Sequence, residues 1–181
     1  MNRKEILKLR MTSNVAGILA VLWMAVIFGF SAQPKEESGM VSEEVSERLL
    51  NVTGWFFHLN IDEERVHEAA RALERYVRKG AHMTEFAVLA VLLYLWLGRW
   101  RMSRLRQYGI AVMLAILYAG SDEFHQLFVE GRAGLVSDVV VDGTGAVLGL
   151  ALFILLPLCT AKIMREGRRI RLRLLASGRD L

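Results

Sequence analysis

The sequence predicts an all-α polytopic membrane protein: four transmembrane helices, with an extracytoplasmic amphipathic helical insert between the first and the second. Three observations predict it. Of 181 residues, 54% are hydrophobic and 23% charged, and the charges are segregated from four long apolar runs. Those runs have no polar face: "VAGILAVLWMAVIFGF" lacks the 3.6-residue alternation that a soluble helical bundle requires. Finally, the basic segments all fall on one side of a four-pass topology.

The apolar runs are Asn14 to Ser31, Ala81 to Gly98, Tyr108 to Ser121 and Val139 to Cys159. The first and last reach the roughly 20 residues that cross a hydrocarbon core at about 1.5 Å per residue. The first follows "NRKEILKLR", as a signal peptide would, but it is long for that role. "FGFSAQPKE" is also a weak cleavage site, so a retained anchor over about 14–33 is expected. Pro34 and Gly39 then break the helix. In the insert, 34–78, Val41, Val45, Leu49 and Val52 recur at helical spacing, as do Val66, Ala69, Ala70, Leu73 and Val77. Two short amphipathic helices are expected, joined by the aromatic turn "NVTGWFFHLN", whose Trp55, Phe56 and Phe57 suit the head-group level as a cap or a lid. The sequon Asn51-Val52-Thr53 is too common by chance to carry weight. The remaining spans are expected at about 79–98, 107–128 and 138–159, with a basic tail over 160–181, all within one domain, 1–181.

Orientation follows from charge. The N-terminal segment has Arg3, Lys4, Lys8 and Arg10; the loop "RWRMSRLRQ" has Arg99, Arg101, Arg104 and Arg106; the tail has seven more basic residues. With four crossings these share one side, which the positive-inside rule makes cytoplasmic, so both termini are expected there. The insert, with ten acids against six bases, belongs outside. The net charge of +4 therefore reflects topology and anionic lipid rather than nucleic-acid binding. With Cys159 alone, no disulfide framework exists.

The second and third runs raise the functional question. Ala87 to Gly98 gives only about 18 Å of helix, and Tyr108 to Ser121 about 21 Å. To finish crossing, the second helix must run through Glu85, His82 and Lys79. The third must run through Asp122, Glu123, His125 and Gln126. The fourth carries Asp138 and Asp142 at its outer end, so all three polar groups meet at the outer leaflet. His82 and Glu85 are helical neighbours, and Asp122 shares a face with His125 and Gln126. Asp138, Asp142, Gly145 and Gly149 form one stripe whose glycines admit a close neighbour, carrying the two carboxylates inward. An intramembrane Asp costs about 2.5–3.5 kcal/mol on insertion scales, so such residues need partners, water or a ligand.

Three chemistries suit this set. His82, Glu85, Asp122, Glu123, His125, Asp138 and Asp142 are candidate ligands for a divalent Mg, Mn or Zn ion, although no HExxH or CxxC motif supports it. Without metal, His82 or His125 can act as a general base oriented by a carboxylate. Lys79, Gln126 and Arg132 are candidates for holding a ligand's phosphate or carboxylate. The bland alternative is internal pairing, with Lys79, His82 or Arg132 neutralising the acids and Asp138 capping its helix.

"FSAQPKEES", "KGAHMTEF" and "SDEFHQLFVEGRAGLVSDVVVDGTGAVLG" together resemble the VanZ-like family, small bacterial membrane proteins named for a glycopeptide-resistance protein. The resemblance implies a multi-pass protein of the bacterial cytoplasmic membrane. It also implies that Ser31, Gln33, His82, Glu85, Asp122, Glu123, Gln126, Arg132, Asp138, Asp142 and Gly145 are signature positions, with His125 and Thr144 as local choices. The namesake's association with teicoplanin resistance points to an outer-leaflet lipid, a cell-wall precursor or a lipoglycopeptide as partner. Three functions stay open: a binding protein for such a ligand, an enzyme modifying a lipid or cell-wall head group, and a lipid or proton-coupled transporter. The absence of an inverted repeat weighs against the last.

Overall fold

The computed structural model describes residues 3–58, 62–100 and 102–177. It is all-helical: α1 (Arg3–Ser31), α2 (Lys35–Phe56), α3 (Glu63–Leu97), α4 (Arg104–Gln126) and α5 (Val136–Ser177). Among the described residues, three helices are long and apolar enough to cross a membrane: Arg10–Ser31, Glu63–Leu97 and Val136–Ala161. α4 is not among them, although its 23 residues span about 34 Å. Residues 59–61 of the expected aromatic turn, Arg101 of the basic loop, and residues 1–2 and 178–181 lie outside the described residues.

α3 is the central post, packing against each of the other four helices. Its 35 residues extend for about 52 Å, well beyond a hydrocarbon core of about 30 Å. This corrects the expectation of two short helices in the insert. The second amphipathic stretch and the second span form one helix, because nothing between Glu63 and Leu97 but Gly80 interrupts it, and one helical glycine costs only about 1 kcal/mol. Pro34 does separate α1 from α2, with backbone at φ −54°, ψ 151°, but Gly39 lies inside α2. Glu36 and Glu37 then favour the α2 N-terminus through its dipole.

α2 returns along α3 in an antiparallel register fixed by two cross-helix contacts. His67 Nδ1 lies 2.6 Å from Glu47 Oε1, and Arg71 Nε donates to Glu43 Oε1 at 3.0 Å. The contact face is the small-residue face, not the apolar one. Ser42, Ser46 and Gly54 are buried, while Val41, Val45, Leu49 and Val52 face outward. Small residues let the helices approach, and each serine hydroxyl is satisfied by the carbonyl four residues back. Trp55, Phe56 and Phe57 are exposed at the distal end of this hairpin and do not cap the bundle. Val66, close to that end, stands about 24 Å along α3 from His82.

The core joins Ile27, Phe86, Leu89 and Leu150 with Ala20, Ala90, Ala111, Ala115, Ala119 and Ala146. The expected glycine stripe is its seam. A Cβ on Gly145 would fall onto the backbone of Met83, and one on Gly149 onto Ala87, so α5 rests directly on α3. Side chains also donate to carbonyls of neighbouring helices: Trp23 Nε1 to Glu85 at 2.9 Å, Tyr118 Oη to Met24 at 2.6 Å, and Tyr108 Oη to Val147 at 2.9 Å. At the opposite end from the polar cluster, Ser103 caps α4 through Arg106 N–H, and buried Gln107 donates to the Tyr94 carbonyl at 2.6 Å.

Candidate functional site

The start of α2, the middle of α3, the C-terminal end of α4, the following loop and the N-terminal end of α5 meet around a cavity of about 410 Å³. α4 does continue through Asp122-Glu123-Phe124-His125-Gln126, as a full crossing requires. His82, Glu123, Gln126, Asp138 and Asp142 line the cavity together with Lys79 and Arg132. Asp142, Glu123 and Gln126 are 2%, 7% and 5% exposed, so they form its buried floor.

Each floor residue is held differently. Glu123 Oε2 accepts the Leu135 N–H at 2.8 Å and so ties the end of α4 to the start of α5. That takes over the expected capping role of Asp138, which stands in the first turn of α5 and pairs instead with Lys79 at 3.1 Å. The internal neutralisation expected of Lys79 is therefore present. Gln126 Nε2 donates to Asp122 Oδ2 at 3.2 Å. Asp142 Oδ1 has no hydrogen-bond partner among the described residues.

Glu85 and Asp122 stand behind this lining. His82 Nδ1 is 3.4 Å from Glu85 Oε2, within ion-pair reach, yet neither atom completes a directional hydrogen bond. Ser31 Oγ adjoins Asp122, and both Ser31 Oγ and Asp122 Oδ1 are buried without a partner. Unpartnered buried oxygens and nitrogens are rare in proteins because each costs about 1–3 kcal/mol. Here they converge from α1, α3, α4 and α5. His125 belongs elsewhere: it does not line the cavity, and its ring lies 4.3 Å from that of Phe28 on α1. Successive residues turn by about 100°, so His125 falls about 60° to one side of Asp122, and Gln126 and Glu123 fall to the other.

The sequence reading missed Lys35, Arg75 and Arg78, which also line the cavity. Arg75, Arg78, Lys79 and His82 share one face of α3, a signal visible only when the insert and the span are read as one helix. The cations are more exposed than the acids. Arg78 pairs with Glu74 at 2.9 Å, whereas Arg132 uses Nε to bind the Gln33 carbonyl at 3.1 Å. Among the described residues no carboxylate lies within ion-pair distance of Arg132. Burial, and secondly the charge of Arg78, pull its pKa below the usual value, with Asp122, Glu123 and Glu85 opposing. A guanidinium remains charged at neutral pH regardless.

Metal ligation has little geometric support in the cavity. Among the described residues, the one trio of His or carboxylate donors within 4.8 Å of each other is Glu43, Glu47 and His67, on the outer hairpin.

Long apolar helices joined around a buried polar cluster define a multi-pass membrane protein embedded in a lipid bilayer. The sequence profile of the VanZ/LLP1 family matches residues 16–157, and the chain belongs to that family. No curated protein and no solved structure matches it.

Proposed function

We propose that the chain crosses the bilayer four times with both termini cytoplasmic, α4 being the third crossing, and that the cavity binds the polar head group of an outer-leaflet lipid or lipid-linked cell-wall ligand. The observation that carries this reading is Asp142: a carboxylate 2% exposed, lining a cavity of about 410 Å³, with one oxygen unpartnered among the described residues. A volume in this range suits a small ligand's polar portion. The basic N-terminal segment, α3–α4 loop and tail support the orientation, which places the cavity at outer head-group depth. Ser31, Gln33, His82, Glu85, Asp122, Glu123, Gln126, Arg132, Asp138, Asp142 and Gly145 act together here, as binding groups or as the frame that holds them. Through its ligand the protein would contribute to resistance against teicoplanin-type, lipid-tailed glycopeptides.

Lipid extraction from the protein purified in mild detergent, followed by mass spectrometry, tests the binding reading. A stoichiometric lipid, lost in Asp142→Ala, is expected; absence of any retained lipid would sink it. Alkaline phosphatase fusions test the topology: activity is expected for fusions within 34–78 and after Gly131, but not for those in the α3–α4 loop.

One observation favours a second reading, an enzyme acting on the same head group. His82 lines the cavity while its Nδ1 faces Glu85, the arrangement of a base oriented by a carboxylate. Glu85→Gln that abolishes turnover of a bound lipid, with binding retained, would support it.

A further inference from the structure

The cavity is polarised. Lys35 and Arg132 line it beside the loop preceding α5, Lys35 exposed, while Asp142 lies within α5 at 2% exposure. Two contacts build the cationic end. Arg132 Nε donates to the Gln33 carbonyl, and Lys35 N–H donates to the Glu130 carbonyl at 3.4 Å. Gly131 adopts φ 71°, and a Cβ there would lie 3.3 Å from Lys35 Cβ, so the loop and the start of α2 are in close approach. Arg132 spends its Nε on positioning, which leaves both terminal nitrogens of the fork without a protein acceptor among the described residues. Lys79 and Arg78 are already matched by Asp138 and Glu74. Arg132, Lys35 and Arg75 are thus the cavity cations without an ion-pair partner among the described residues, and Arg132 and Lys35 are the two held together at the loop preceding α5.

Resting on the head-group reading above, we infer that the cavity takes a phosphodiester head group, its phosphate lodged against Arg132 and Lys35 and its far end, an ammonium or hydroxyl donor, against the carboxylate of Asp142. The planar guanidinium fork fits two phosphoryl oxygens, and Lys35 adds a point charge. Buried Asp142 repels an anion from the floor and exposed Lys35 attracts it outside, which sets the direction of entry: phosphate at the rim, donor inward. Asp142 Oδ1 needs a donor, and a quaternary ammonium has no N–H to offer. The site therefore separates ethanolamine and glycerol head groups from choline.

The test titrates delipidated protein in detergent with short-chain phosphatidylethanolamine, phosphatidylglycerol, phosphatidylcholine, diacylglycerol and inorganic phosphate, reading occupancy by native mass spectrometry. Ethanolamine and glycerol lipids are expected to bind about tenfold more tightly than choline lipid, with diacylglycerol weakest. Arg132→Gln should weaken all three phospholipids about tenfold while keeping their order. Lys35→Gln, at an exposed position, should act in the same direction. Asp142→Ala should erase the preference over choline and leave the dependence on phosphate. Equal binding of diacylglycerol and the phospholipids would overturn the inference while leaving a lipid pocket standing. No lipid binding at all would overturn both. If inorganic phosphate displaces the lipids at equal concentration, the anion site stands but the head-group assignment falls.

Discussion

The outer hairpin and the cavity are built from the same residue types and solve their electrostatics in opposite ways. On the hairpin, Glu47 meets His67, Glu43 meets Arg71 and Glu44 meets Arg48, all at 2.6–3.0 Å on exposed or half-exposed side chains. Water screens those charges, and each pair contributes no more than about 1 kcal/mol. At the cavity, Asp122 and Asp142 are buried, and each keeps an oxygen unpartnered among the described residues, while half-buried His82 and Glu85 meet only at 3.4 Å. A buried group left this way lowers stability, so it is retained for something other than folding. The hairpin sets register, and the cavity is the place proposed to bind. Charge density alone does not distinguish the two regions; a buried, unpartnered carboxylate facing a cavity, as at Asp142, does.

The comparison can be broken most strongly at the seam beneath the cavity. Gly145→Leu would drive a side chain into the Met83 backbone and part α5 from α3, costing about 3 kcal/mol and much of the monodisperse yield. Thermal unfolding in detergent measures this, and an unchanged midpoint would mean the helices do not meet there. A smaller effect is expected from Glu123→Ala, which removes the acceptor of the Leu135 N–H and costs about 1–2 kcal/mol. Faster proteolysis between Leu127 and Val136 would report the loosened α4–α5 turn. Smaller still, Glu43→Ala or Glu47→Ala should cost less than about 1 kcal/mol, because the partners remain solvated. A larger loss would mean the hairpin charges are structural in the way the cavity charges are not.

Much of this site was legible in the sequence, for physical reasons that can be named. Apolar runs too short to cross predicted that the second and third helices continue through their polar residues, and α4 does run through Asp122 and Gln126. The Asp142-Gly145-Gly149 stripe had to face a close neighbour, and it faces Met83 and Ala87. What was not legible depended on which neighbour sits beside a helix. Hydropathy marked an apolar stripe on α2 without saying what it faces; Ser42, Ser46 and Gly54, which allow the closer approach, are the buried face, and the valines are turned out. Splitting the insert from the second span hid Arg75 and Arg78 from the cavity below them. His125 shares helical spacing with Asp122, but α1 supplies Phe28 on its side of α4.

The central claim is that Asp142 is kept for a ligand and not for the fold. Its most direct test measures thermal stability and bound lipid on the same preparation of Asp142→Ala. The account predicts a midpoint equal to or above that of the unsubstituted protein, together with loss of the retained lipid. A lowered midpoint with lipid occupancy unchanged would contradict it.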